Sequence, residues 1–78
     1  MTARYVLTFQ ARQDLAEIGS SIAERDGAVP AEHVLEKFRE AFRFLAEHPG
    51  AGHVREDLTA DSALRFWVVF SYLVAFVP

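Results

Sequence analysis

The chain has no cysteine, which excludes disulfides and thiolate metal sites. That absence fits a reducing compartment, and a cytoplasmic location is the expectation. Positive charge is also short: 8 Lys and Arg stand against 11 Asp and Glu, a net charge of −3. A protein that grips a nucleic-acid backbone usually carries a clear basic surplus, so no direct nucleic-acid binding is expected. Long apolar runs are missing as well. The opening MTARYVLTFQ lacks the apolar core of a signal peptide. The closing stretch ALRFWVVFSYLVAFVP holds one charge, Arg65, but falls short of the roughly 20 apolar residues that span a bilayer. Internal repeats and low-complexity segments are absent too.

What is present is globular. Apolar residues make up 51% of the chain and charged residues 24%, unlike a disordered sequence. At 78 residues the expectation is a single domain, 1–78. A domain this small buries only about 60–65% of the surface its unfolded chain exposes, so its stability is marginal and a partner matters.

Residues 4–9, RYVLTF, alternate, with Tyr5, Leu7 and Phe9 on one side, and read as a strand. In the following segment Ala11, Leu15, Ile18 and Ile22 form one apolar stripe of a helix over 11–25, with Gly27 just past its end. The small residues Gly19, Ser20 and Ser21 allow close packing on a second helix. Pro30 reads as the first position of that helix, which runs over 31–47 and aligns Val34, Leu35, Phe38, Phe42, Leu45 and Ala46. Its charged face has Glu40/Arg43 and Arg43/Glu47 at supportive spacings. The six-residue linker RDGAVP suits an antiparallel helical hairpin. HPGAG stops the second helix, and a short strand is expected within 53–58. Residues 63–69 and 72–77 then read as an antiparallel hairpin turning near Phe70 and Ser71. Leu64, Phe66 and Val68 fall on one face by alternation, and Arg65, Trp67 and Val69 on the other. The order predicts an α+β fold: strand, helical hairpin, then antiparallel strands in a small sheet, with Leu15, Ile18, Ile22, Val34, Phe38, Phe42 and Leu45 as the buried layer.

Chemistry-bearing patterns are sparse. His33, His48 and His53 lack zinc-motif spacing, and no metal or cofactor is expected. Glu36/Glu40 and Glu56/Asp57 read as solvated carboxylates rather than an acid–base pair. Phe44, off the main stripe, reads as a flank of the core, with a partner contact the sharper alternative. Arg65 stands inside the most apolar stretch, where a charge must be exposed or paired. It either pairs with Asp57 or Glu56, or faces outward toward a phosphate or a partner's carboxylate.

Taken together, the Ala-x-x-Asp-Leu-x-x-Ile pattern of FQARQDLAEIGSSIAE, the Leu-Ala-x-x-Pro-x-x-Gly ending of AEHVLEKFREAFRFLAEHPGAG, then VREDL and LRFWVVFSYLVAF, resemble the ParE/RelE family of bacterial type II toxins, the plasmid stabilisation proteins. The resemblance runs through the whole chain. It implies a toxin silenced by a cognate ParD-like antitoxin. RelE-like members cleave messenger RNA on the ribosome, and ParE-like members poison DNA gyrase. Arg65 matches the Arg before the Tyr strand that stabilises phosphate in RelE-like nucleases. Only Arg55, beside Glu56 and Asp57, accompanies it on the preceding segment, so the ParE-like branch is favoured, with gyrase as target and no catalytic residue. The alternatives are a RelE-like mRNA endonuclease, or an inactive shortened remnant that only binds antitoxin. Family members usually continue with a further strand, so the last strand is expected to be missing and the sheet edge open. Arg65, Trp67, Val69, Phe70 and Arg55 are the expected partner-binding residues. A homodimer through the exposed edge is the other expected association.

Overall fold

The computed structural model describes residues 5–78. Helix α1, Phe9–Asp26, and helix α2, Ala28–Glu47, come first. A 3-10 turn at Pro49–Ala51 follows, then an irregular stretch, and then strands β1, Arg65–Val69, and β2, Tyr72–Phe76. This is the α+β arrangement read from the sequence, a helical hairpin joined to a two-stranded antiparallel sheet.

The start differs from expectation. Residues 5–8 are irregular rather than a strand, Phe9 already belongs to α1, and Arg4 lies outside the described residues. The physical reason is Thr8. Its backbone is extended and its Oγ1 accepts the Ala11 N–H at 3.0 Å, satisfying one of the amides that a helix start leaves free. Tyr5 still meets α2, with its ring centroid 5.4 Å from that of Phe42, although the residue stays exposed.

The joint between the helices also differs. In place of six linker residues there is one, Gly27, at φ 97°. Its N–H donates to Ala23 O at 3.0 Å, and its own carbonyl accepts from Ala31 N at 3.4 Å. One residue thus ends α1 and begins α2, a conformation open to glycine at little cost. Pro30 becomes the third residue of α2, still in the first turn, where a missing N–H costs nothing.

The helices approach closely at Gly19, as its small size suggested. A Cβ there would lie 3.1 Å from Leu35 Cδ1. Ile22, Ala31, Phe38 and Leu45 are buried between the elements, while Leu15, Ile18, Val34 and Phe42 are half-buried. Even Phe38, at 3% exposure, is not wholly sequestered.

In the sheet Arg65 pairs with Phe76, Trp67 with Val74 and Val69 with Tyr72. The strand expected within 53–58 shrinks to an isolated bridge from His53 to Phe66, with N–H···O distances of 2.9 and 2.8 Å. A turn follows, with Leu58 N–H on Arg55 O at 3.0 Å. Simple alternation along β1 fails, since Phe66 and Val69 are both buried while Val68 is 60% exposed. Phe66 is flanked on both edges, by Ala75 and by His53. Val69 sits beside Tyr72, whose ring lies 5.6 Å from Phe38 on α2.

Candidate protein-docking site

Two surfaces converge on the hairpin. The first is a row of rings. His48 stacks on Phe44 at 4.7 Å, Phe44 meets Trp67 at 5.5 Å, and Trp67 stacks on His53 at 6.0 Å with the planes 7° apart. Phe44 O accepts from the His48 backbone N–H at 2.8 Å. The same carbonyl lies 3.1 Å from His48 Nδ1. The row clamps the loop between α2 and β1 against the sheet. Aromatic pairs of this kind contribute about 0.5–1.5 kcal/mol beyond their buried area. Phe44, read from sequence as a flank of the core, is one of its two inner members and remains 40% exposed. A shallow depression lies beside it, lined by Lys37, Glu40, Phe44, Trp67, Val68 and Phe70.

The second surface is a groove of about 1020 Å³ between the helices and β2. Leu15 and Ile18 of α1, Phe42 and Leu45 of α2, and Leu73 and Phe76 of β2 are among its apolar residues. Small-molecule pockets run to about 300–1,000 Å³, so this groove has room for a run of side chains. Among the described residues β2 pairs with β1 alone, and its outer edge borders the same groove.

The residues singled out from sequence do not form one cluster. Arg65 is half-buried, and its Nη1 donates to the carbonyls of Ser62 at 2.5 Å and Leu64 at 3.2 Å. Among the described residues it makes no ion pair with Asp57 or Glu56, one of the two alternatives open from sequence, and it uses backbone acceptors instead. Asp57 is instead held by Arg55, with Nε to Oδ1 at 3.0 Å and Nη2 to Oδ2 at 2.8 Å. This two-pronged contact draws the Asp57 carboxyl below its ordinary range and raises the Arg55 guanidinium above its own. Trp67 is occupied by the ring row, and Val69 is buried. Phe70 projects from the turn with 57% exposure, at φ 54°. A bulky residue at positive φ is an outlier that costs free energy, and hairpin turns favour Asn or Gly there.

Elsewhere the charges form a ladder along α2. Arg39 bridges Glu32 at 2.7 Å and Glu36 at 3.2 Å, Arg43 reaches Glu36 at 3.0 Å, and Lys37 meets Glu40 at 3.4 Å. Arg43 thus pairs with Glu36, one turn before Glu40, rather than with the expected Glu40 or Glu47. The hydrogen bonds from Arg43 and then Arg39 hold Glu36 below the usual carboxylate range. No group of three or more His, Asp or Glu able to hold a metal forms among the described residues, and none of the described helices is long and apolar enough to cross a membrane.

The helical hairpin and small sheet thus carry an apolar groove and an exposed aromatic tip. Over residues 5–77 the sequence matches the family model described as the ParE toxin of the type II toxin–antitoxin system, parDE. The chain therefore belongs to the ParE toxin family, and a cognate antitoxin is its implied partner. No curated protein matches it.

Proposed function

We propose that this type II toxin acts by binding DNA gyrase in the cytoplasm, without catalysis of its own, and that a ParD-like antitoxin silences it by covering the hairpin and the groove. The observation that carries the reading is the state of the two arginines nearest a RelE-like catalytic position. Arg55 is engaged by Asp57, and Arg65 is turned onto the carbonyls of Ser62 and Leu64. Phosphate cleavage needs donors aimed at the developing charge, and both guanidinium groups point elsewhere. Phe70 at the turn, Trp67 within β1, Arg65 at the open end of the hairpin and Arg55 on the preceding loop remain the proposed contacts, with Val69 buried beside Tyr72. The edge of β2, left unpaired among the described residues, supports strand addition by the antitoxin or by a second copy of the chain.

The test sets two assays side by side, gyrase supercoiling and cleavage of ribosome-bound messenger. The purified protein is expected to inhibit supercoiling, and to lose inhibition when the antitoxin is added. Codon-dependent cleavage that disappears in Arg65→Ala would sink the gyrase assignment.

A further inference from the structure

The groove has an asymmetric rim. Among the described residues its only charged side chains are Asp14 and Glu17, both on α1, and both are exposed. Gln10 Nε2 donates to Asp14 Oδ1 at 2.8 Å and steadies it. Neither carboxylate has an ion-pair partner among the described residues, whereas Lys37, Arg39 and Arg43 of α2 are held by their neighbours. An apolar floor with uncompensated negative charge on one wall favours an occupant of the opposite sign.

The molecule also exposes more surface than its size requires. Its accessible area is 5725 Å², against about 4,800 Å² for a compact monomer of this mass.

We propose that the groove seats an apolar segment of a partner protein that carries Lys or Arg toward α1, and that Asp14 and Glu17 select this segment by its charge. The proposal rests on the toxin reading only for the identity of the partner, the antitoxin. The selectivity is a property of the groove itself.

The probe is a pair of labelled peptides with the same alternating Leu and Val positions, one with Lys and one with Glu at the intervening positions. Each is titrated into the full chain, into a rim variant, Asp14→Lys with Glu17→Lys, and into a remote control, Glu24→Lys with Glu47→Lys, which has the same net charge. The wild type and the remote control are expected to prefer the Lys peptide by about tenfold, with the preference shrinking as salt is added. In the rim variant the preference is expected to vanish or invert. Circular dichroism checks that all three proteins are folded. An equal loss of preference in both variants marks non-specific attraction and overturns the proposal, as does a rim variant that behaves like wild type. Light scattering showing a dimer that binds neither peptide overturns it in favour of a second copy as occupant. None of these readouts involves gyrase, so a failed supercoiling assay bears on the toxin reading alone.

Discussion

Phe70 occupies a backbone conformation that a phenylalanine adopts at a cost, and it leaves most of its ring in water. Neither choice helps the isolated fold. Replacement by glycine relieves the positive φ and suits the two-residue turn. Phe70→Gly is expected to raise stability by about 0.5–1 kcal/mol while weakening partner binding. Chemical denaturation and a binding titration on the same preparation check both halves of the statement. A variant that loses stability would show that the ring supports the hairpin. Aromatic residues in well-packed contacts often dominate binding energy, and Phe70 stands beside the depression next to Phe44 and Trp67.

At the scale of elements, the one-residue joint at Gly27 sets how α1 and α2 meet. Its φ of 97° is closed to side chains without strain, although nothing lies within 4 Å of the position a Cβ would take. Gly27→Ala is therefore expected to destabilise through backbone alone, by about 1–2 kcal/mol, as read by thermal unfolding. The ladder on α2 gives a pH dependence. Glu36 titrates below its ordinary value of 4.5 when folded, so its contribution is present above that value and lost as pH falls through the folded pKa. Asp57 behaves alike below its ordinary 3.8. Glu36→Gln is expected to be slightly less stable than wild type at neutral pH and equal to it in strong acid, the pairs being exposed and individually weak. The helical stripes were legible because 3.6-residue spacing is written in the order of Leu15, Ile18 and Ile22, and of Phe38, Phe42 and Leu45. The hairpin was legible from two uncharged runs around Phe70 and Ser71. The first turn of α1 was not, because Tyr5, Leu7 and Phe9 alternate as a strand does, and the side-chain cap at Thr8 overrides that local pattern. Nor could the rim be read. Asp14 and Glu17 look like any solvated helix face until β2 is brought opposite them, and the ring row through Phe44 joins residues far apart in sequence.

For the whole molecule, the radius of gyration is 13.4 Å, against about 11.5 Å for a compact chain of this length. The helical hairpin and the strand hairpin each close on their own neighbours in sequence, and they meet chiefly where Phe38 and Phe44 touch Tyr72 and Trp67. A partner seated in the groove binds only the docked arrangement. It is expected to raise the melting temperature, by an amount equivalent to about 2.7 kcal/mol at a hundredfold excess over Kd. Differential scanning fluorimetry with and without antitoxin measures this, and an unchanged midpoint at saturation would count against the groove as the seat.

The groove is built from both ends of the chain, from Leu15 and Ile18 near its start and from Leu73 and Phe76 near its close. An occupant of the proposed kind would be a cross-brace as much as an inhibitor. Loss of such an occupant would uncover the toxin and remove its brace in the same step. A loosely closed protein of this kind spends more of its time in opened forms that proteases can cut. Release would thus set a limit on its own duration, and the lifetime of the free toxin would be governed by how firmly the two hairpins hold together unaided.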